Sequence, residues 1–203
     1  MVLCGVCFEK SKLSYLTEIG VKDSKKLTVA KRSNLSKLII EKCHSYHIII
    51  VSPEEIDNRE KKRISLNRLE ELKMSEIIVK LRPDLIYIDA VDVNEERYKR
   101  SILKLLNYNP VQVISKHKAD DLFPIVSAAS IVAKDKRDTL IEELKEIYGQ
   151  FGSGYPSDRK TIDFLREWIK NKKEIPYFAR KSWKTIKKIT EEELSNRKIT
   201  NFF

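Results

Sequence analysis

Short runs of aliphatic and β-branched residues alternate with longer segments of helical periodicity, and this alternation constrains the fold more than any other feature. The strand-like runs are 2–8, 46–51, 85–88 and 111–115. Apolar residues recur at helical spacing in the segments 28–44, 65–81, 95–106 and 125–148. Strands that alternate with helices predict an α/β domain whose sheet is covered by helices. A further strand is expected at 13–19, whose residues are mainly apolar.

The last quarter of the sequence differs from the rest. A turn that contains glycine at 149, 152 and 154 is followed by two helical segments, 157–172 and 181–194, and by no strand-like run. This part predicts a helical C-terminal extension. Between Arg159 and Lys188 there are eleven Lys or Arg residues against three acidic ones.

The charge balance favours a polyanionic partner. Forty basic residues against thirty acidic ones give a net charge of +10, and each phosphate that a cation neutralises releases condensed counterions. A ribosomal or chaperone-like protein could be equally basic, so charge alone does not decide. No apolar run approaches the roughly 20 residues of a membrane span, and the opening segment lacks secretory signal features. We expect a cytoplasmic monomer with no membrane association.

Three cysteines are too few for a disulfide scaffold. Cys4 and Cys7 form a C-x-x-C pair, which could indicate zinc or redox chemistry. They lie, however, in an apolar strand-like run, where residues three apart point to opposite faces. A buried strand is therefore favoured over a metal site.

The segment LIYIDAVDVN places a carboxylate after an apolar run. Asp89 follows four apolar residues, so it is expected at the carboxyl end of a buried strand. Such a position holds a metal ligand rigidly in a cleft, but an aspartate that caps the next turn is the more common explanation for an isolated example. Both alternatives stay open on this segment alone.

A second acidic segment precedes the longest helix. Asp120 lies in the sequence His-Lys-Ala-Asp after another strand-like run. On the helix that follows, Ser127, Ser130, Lys134, Arg137 and Asp138 recur at intervals of three and four residues and so share one face. The small hydroxyl groups and the cations among them suit phosphate oxygens. A solvated helix face is the alternative, although exposed positions seldom contain Ser-Ala-Ala-Ser.

Three shorter motifs complete the set. In Gly-Ser-Gly-Tyr-Pro-Ser-Asp, Tyr155 is held between rigid neighbours and could present its ring to a sugar or base, or it could be a core tyrosine under a turn. Lys25 lies in a basic loop before a helix N-terminus, which favours anions. The segment 180–185 places basic residues around the indole of Trp183.

Together and in this order, these motifs resemble the type 2 ribonuclease H family, and the tail and compact C-terminal region resemble an archaeal member. The matching segments are GVKDSKKLT, SLNRLE, YIDAVDVN, HKADDLFPIVSAASIVAKDKRD, GQFGSGYPSD and ARKSWKT. The resemblance implies an RNase H-like mixed sheet flanked by helices, with a catalytic domain at 1–150, a helical region at 151–195 and a tail at 196–203.

The resemblance also implies an activity. Members hydrolyse the RNA strand of RNA–DNA hybrids, including ribonucleotides embedded in DNA, and leave 5′-phosphate and 3′-hydroxyl ends. Asp89 and Asp120 correspond to two of four carboxylates that hold Mg²⁺ or Mn²⁺. Tyr155 corresponds to the tyrosine that packs on the sugar at the RNA–DNA junction. Lys25, Lys134 and Arg137 lie in motifs whose cations meet phosphates.

One part of the family pattern has no counterpart. The family carries an Asp-Glu pair and Ala-Gly-Arg-Gly on its first strand, and neither sequence occurs here. Two carboxylates in place of four cannot easily hold two cations roughly 3.5–4 Å apart. We therefore expect this chain to be weakly active or inactive. Either a start codon was assigned too far downstream, or a true truncation leaves a non-catalytic protein that binds hybrids.

The C-terminal tail resembles the peptide that binds the sliding clamp (PCNA). Ile199, Phe202 and Phe203 have the required spacing, while Asn196 replaces the usual glutamine. A short helical turn would bring Ile199 and Phe202 to one side as anchors for a hydrophobic pocket. The alternative is a frayed terminus whose aromatic residues pack back onto the domain.

Overall fold

The structure, a computed structural model, describes residues 1–21 and 27–200, with side chains up to residue 193. The strands are β1 (Val2–Cys7), β2 (Ser45–Ile50), β3 (Leu85–Asp89) and β4 (Gln112–Lys116). The helices are α1 (Ser14–Glu18), α2 (Val29–Lys42), α3 (Pro53–Asn58), α4 (Leu66–Leu81), α5 (Glu95–Leu105), α6 (Ala119–Leu122), α7 (Pro124–Tyr148), α8 (Arg159–Lys172) and α9 (Lys184–Thr200). In these ranges no helix combines the length and apolar character needed to cross a bilayer.

The α/β class is confirmed, and so is the helical nature of the C-terminal part. The strands form two small sheets. In one, β1 pairs antiparallel with β2, so that Val2 lies opposite Ile50. In the other, β3 pairs parallel with β4, so that Leu85 lies opposite Gln112. Both strand orientations of the expected mixed sheet are therefore present, but the strands that the structure describes divide into two pairs.

The prediction of a strand at 13–19 is wrong. The chain forms a 3₁₀ turn at Lys10–Lys12 and then α1. Leu13, Leu16 and Ile19 all pack into one hydrophobic cluster, with Leu16 fully buried. Residues three apart share a face in a helix and not in a strand, so the spacing of these three side chains explains the helical conformation.

Helices α2 and α3 each begin at a hydroxyl side chain that caps the first turn. Thr28 accepts a hydrogen bond from the backbone N–H of Lys31 at the start of α2. Ser52 does the same for Glu55, with proline at the first position of α3. Hydroxyl caps satisfy backbone donors that have no partner inside the helix, which is why these short motifs locate helix boundaries reliably.

The chain divides into two compact units. Unit 1 comprises residues 1–50 and 64–138. One of its cores lies under β1 and β2 and joins side chains of α1, α2 and α7. Its other core packs β3 and β4 against α4 and α5. Gly5 allows α4 to lie close to β1, because a Cβ atom at Gly5 would be 2.5 Å from Ile77 Cγ2.

Unit 2 comprises residues 51–63 and 139–203. Its core is formed by α8, α9 and the segment between them, and the buried residues are Leu165, Ile169, Ala179, Ile186 and Ile189. The Asp57 carboxylate, after the first turn of α3, accepts the backbone N–H groups of Lys181 and Ser182 at 2.7 and 3.1 Å. These two bonds hold the segment 51–63 to the residues just before α9.

Candidate active site

Asp89 is the last residue of β3, and the alternation of the strand decides where its side chain lies. Ile86 and Ile88 are buried in the core with α4 and α5. Tyr87 and Asp89 therefore lie on the opposite face, where the Tyr87 ring centroid is 4.9 Å from that of Phe123. Asp89 Oδ1 accepts the backbone N–H of Ala119 at 3.1 Å. Asp89 therefore lies at the end of a strand, as predicted, and one of its carboxylate oxygens accepts a hydrogen bond.

Asp120 lies next to that contact. The chain leaves β4, turns through Lys118 in the left-handed conformation (φ 53°) and starts α6 at Ala119. Ala119 is fully buried, which fixes the first turn of α6 beneath Asp89. Because β3 and β4 are parallel neighbours, their carboxyl ends meet at one edge of the sheet. The residue directly before Asp120 is therefore bound to Asp89 through its backbone N–H.

A third acidic residue ties the two loops to each other. Glu95 accepts the backbone N–H of His117 at 2.8 Å and the ammonium group of Lys116 at 2.9 Å. These bonds, that of His117 first, lower the pKa of Glu95. The ring nitrogens of His117 lie 3.2 Å from the carbonyl oxygens of Ala90 and Val93. The loop after β3 is therefore held to the loop after β4, a role that the sequence analysis missed.

Asp92 belongs to a separate pair. Its carboxylate accepts hydrogen bonds from the guanidinium of Arg97, at 2.5 and 3.1 Å, and from the backbone N–H of Asn94. The bond from Arg97 is the largest cause of the lowered pKa of Asp92. Asp92 therefore organises the start of α5.

The donor set suits a hard cation. Carboxylate oxygens are ligands that Mg²⁺ prefers, and this ion is commonly bound by one or two carboxylates together with substrate phosphates. Asp89 and Asp120 fit that pattern. In residues 1–21 and 27–200 no three or more His, Cys, Asp or Glu side chains form a group that could hold a metal ion. Burial raises the pKa of the Cys4 thiol to about 12, which disfavours the thiolate that binds metal.

The predicted phosphate-binding face of α7 is only partly open. Ser127 is almost completely buried, and its hydroxyl has no hydrogen-bond partner in the described part of the chain. Arg137 lies 3.2 Å from Asp138, and Asp138 is also paired with Arg32 of α2. Lys134 is half-buried on the same helix. Lys25, the other predicted phosphate contact, lies outside the described residues.

The turn between α7 and α8 places Tyr155 at the surface. Tyr155 is 48% exposed, so it is not a core tyrosine. Asp158 Oδ2 accepts the backbone N–H and the hydroxyl of Ser153 at 2.6 and 2.7 Å. The Thr161 hydroxyl accepts the N–H of Gly154 and donates to the carbonyl oxygen of Phe151. The sequence analysis assigned no role to Asp158 or Thr161.

The two remaining motifs are the basic segment around Trp183 and the C-terminal tail. The guanidinium of Arg180 lies over the Trp183 ring, 5.8 Å from its centroid, and Trp183 packs against the core of unit 2. The indole is therefore a packing residue. Helix α9 continues to Thr200 and so includes Ile199 in its backbone, while Phe202 and Phe203 lie outside the described residues.

A basic α/β chain with Asp89 at the carboxyl end of β3 and Asp120 in the helix that follows the parallel strand β4 has features typical of nucleases that depend on carboxylates. The particular family follows from comparison with known proteins: the chain belongs to the ribonuclease HII family, whose profile matches residues 1–186. Its sequence is 46% identical to ribonuclease HII of Thermococcus sibiricus over 200 residues, which cover 98% of this chain and 87% of the relative.

Solved structures agree. The ribonuclease H2 of Pyrococcus horikoshii OT3 is similar with a TM-score of 0.87 and 37% identity, over 97% of this chain and 100% of that one. A PCNA:RNase HII complex from Archaeoglobus fulgidus gives a TM-score of 0.84 and 39% identity, over 93% and 88% of the two chains. The family resemblance is confirmed. The chain is an endoribonuclease of RNA–DNA hybrids, and a non-catalytic role is not favoured. The expectation of an inactive chain is therefore not favoured either, while reduced activity stays a prediction.

Proposed function

We propose that this chain cleaves the RNA strand through Asp89 and Asp120, which hold a divalent cation, Mg²⁺ or Mn²⁺. The observation that carries the proposal is the bond from the Ala119 N–H to Asp89 Oδ1 at 3.1 Å. That bond joins the loop after β4 to the end of β3 and leaves Asp89 Oδ2 for a ligand. We extend the substrate to single ribonucleotides embedded in DNA, since Tyr155 is 48% exposed and corresponds by resemblance to the tyrosine that packs on the sugar at a junction.

Each part of the chain has a distinct task. The two carboxylates hold the cation, which when bound polarises the phosphate and lowers the pKa of its water. Water oxygen bonds to phosphorus while the bond from phosphorus to the 3′-oxygen breaks. The departing oxygen gains a proton, so that 5′-phosphate and 3′-hydroxyl ends result. Lys25, Lys134 and Arg137 hold the phosphate backbone by charge.

The decisive experiment compares two neighbouring aspartates of α6. Asp120→Asn removes a proposed ligand, while Asp121→Asn removes an exposed carboxylate one residue away. We expect Asp120→Asn to lose cleavage by about 100-fold or more and to retain hybrid binding in the absence of divalent cation. Asp121→Asn should cleave like the unmodified chain, in Mg²⁺ and in Mn²⁺.

The outcomes separate the candidate functions. Equal loss in both variants would show a general effect of charge and would contradict the assignment of Asp120 as a ligand. Hybrid binding by the unmodified chain with no cleavage in either cation would instead favour the non-catalytic alternative. A calorimetric titration with Mn²⁺ gives an independent reading, because only the Asp120 substitution should weaken binding of the ion.

We also propose that the tail binds a sliding clamp. The pattern formed by Ile199, Phe202 and Phe203 supports this, and so does the complex of the Archaeoglobus relative with PCNA. Helix α9 continues to Thr200, so a helical conformation extends to the first anchor. Two aromatic anchors and an aliphatic one on a short helical segment suit a hydrophobic pocket.

A tail experiment tests the second proposal separately. Phe202→Ala with Phe203→Ala should abolish binding to the clamp in a calorimetric titration, whereas Asn201→Ala should not. Hybrid cleavage and the unfolding temperature should be the same in all three forms. A large fall in unfolding temperature on substitution of the phenylalanines would show that they pack on the domain and not on a partner.

A further inference from the structure

The turn that carries Tyr155 is held by Asp158, the residue that caps α8, and by Thr161 within α8. Asp158 Oδ2 binds the backbone N–H and the hydroxyl of Ser153, two residues before the tyrosine. On the other side, the backbone N–H of Asp158 donates to the carbonyl oxygen of Tyr155 at 3.1 Å. Asp158 therefore contacts the chain two residues before Tyr155 and the carbonyl group of Tyr155 itself.

Thr161 connects the same turn to the core of unit 2. Its hydroxyl accepts the N–H of Gly154 at 3.0 Å and donates to the carbonyl oxygen of Phe151 at 2.8 Å. Phe151 and Thr161 are both buried. The backbone of the residue directly before Tyr155 is thus fixed to packed structure, while the ring itself is half exposed.

Glycine at 152 makes the approach of Asp158 possible. Gly152 has φ 79°, and a Cβ atom there would lie 2.5 Å from Asp158 Oδ2. A conformation that other residues rarely adopt is therefore combined with a close contact to the carboxylate. Only glycine at 152 therefore leaves room for the Asp158 carboxylate beside the backbone.

These contacts exceed what a helix cap requires. The other carboxylate oxygen, Asp158 Oδ1, accepts the N–H of Lys160 at 3.0 Å and caps α8. One oxygen is enough for that role. The second oxygen accepts its two shortest bonds from Ser153 of the turn and a longer one, 3.4 Å, from the Thr161 hydroxyl.

We propose that Asp158 is a positioning residue for Tyr155: it fixes the turn so that the ring meets the sugar at the RNA–DNA junction, and it thereby sets the selectivity for that junction. The proposal rests on the proposed contact between Tyr155 and the substrate. Asp158 itself touches no reacting atom.

The charge state of Asp158 agrees with this role. Its bonds to Ser153, the backbone N–H first, lower the pKa of Asp158. The carboxylate is therefore ionised at neutral pH, and its bonds to the turn are charge-assisted, which makes them shorter and stronger than neutral ones.

The test uses a substitution that separates the two roles of Asp158. Asp158→Ser keeps a good helix cap but withdraws the oxygen that binds Ser153. Asp163→Ser is the matched control, because Asp163 is an exposed aspartate on the same helix in a loose pair with Arg159. Steady-state cleavage of a duplex with one embedded ribonucleotide is measured for both variants, together with their unfolding temperatures.

We expect Asp158→Ser to lower kcat by about 10- to 100-fold, the scale of a misplaced catalytic contact, with little change in KM. Its unfolding temperature and that of Asp163→Ser should stay near that of the unmodified chain. Tyr155→Ala should lower kcat by the same factor, and the double variant should be no worse than Tyr155→Ala alone. This non-additivity is the signature that Asp158 acts through the tyrosine.

Other results would overturn the proposal. Additive losses in the double variant would show that Asp158 acts independently of Tyr155. Unmodified kcat in Asp158→Ser beside a loss in Tyr155→Ala would remove the positioning role and leave the proposed contact of Tyr155 intact. Unmodified kcat in Tyr155→Ala would remove that contact and the positioning role together.

Discussion

Asp89 and Tyr155 are held in place by different kinds of structure. Asp89 ends a strand that is paired along its length with β4, and the loops around it are joined by the bonds to Ala119 and through Glu95. Tyr155 lies in a turn with no strand or helix of its own, fixed by the side chains of Asp158 and Thr161. Many backbone bonds support the first residue, and a few side chains support the second.

This difference predicts which substitutions each site tolerates. At the strand end, loss of one supporting bond leaves the ladder and the packed core in place, so the functional group itself is the sensitive point. In the turn, each supporting side chain carries a large share of the order. Substitutions of the support should therefore be mild near Asp89 and severe near Tyr155.

The largest expected effect tests the functional group at the strand end. Asp89→Asn keeps an oxygen that can accept the Ala119 N–H, so folding should be unchanged, but it removes the charge that binds a cation. We expect cleavage of a hybrid to fall by about 10²- to 10³-fold. Asp84→Asn is the control, because Asp84 is an exposed aspartate just before the amino end of β3. Retained activity in Asp89→Asn would remove this residue from the site.

The second effect tests the support of the turn. Gly152→Ala places a Cβ atom against Asp158, whereas Gly149→Ala places one in open space at a similar backbone angle (φ 83°). Both should lose stability through backbone strain, about 1–2 kcal/mol for a left-handed residue. Only Gly152→Ala should also lower cleavage at an embedded ribonucleotide, by about 10-fold through mispositioning. Equal cleavage by the two variants would contradict the importance of the contact between Gly152 and Asp158.

The smallest effect tests the support at the strand end. Glu95→Gln weakens the bonds to His117 and Lys116 but leaves the strand ladder intact, so cleavage at neutral pH should change by no more than about two- to threefold, the cost of one weakened surface interaction. A loss of cleavage as large as that of Asp89→Asn would contradict the difference between the two sites. It would show that the side chain of Glu95 alone holds the end of β3 in place.

The same variant has a defined pH dependence. The pKa of Glu95 is lowered in the folded protein, so its stabilising contribution is complete above the ordinary glutamate pKa of about 4.3 and is lost as the pH falls through the lower folded value. The difference in unfolding temperature between the unmodified chain and Glu95→Gln should therefore be constant from neutral pH to about pH 5.5 and shrink below about pH 4. A difference that grows in acid would contradict the sign of the shift.

The sequence was sufficient where the signal is local. The apolar run before Asp89 is a short pattern, and the structure places it in a strand that ends at Asp89, as predicted. The hydroxyl caps at Thr28 and Ser52 are signals of the same local kind. The segment 13–19 was misjudged because a helix of five residues is too short to show several turns of periodicity. Lys25 and the clamp-binding residues stay predictions.

Other features have no local signal at all. Asp57 binds the backbone of Lys181 and Ser182 across more than 120 residues of sequence, and Glu95 binds that of His117 across 22. The contacts of Asp158 with the turn have no local signal either, since an aspartate before a helix predicts a cap and nothing more. Contacts of this kind depend on the fold, and only coordinates reveal them.

The pairing of β1 has a consequence for the behaviour of the protein at high concentration. In the part of the chain that the structure describes, β1 is hydrogen-bonded to β2 alone, and its sequence Val-Leu-Cys-Gly-Val-Cys contains no charge and no proline. A strand edge of this composition is a template for pairing with another chain. We expect aggregation under mildly destabilising conditions, followed by light scattering, to begin at this segment.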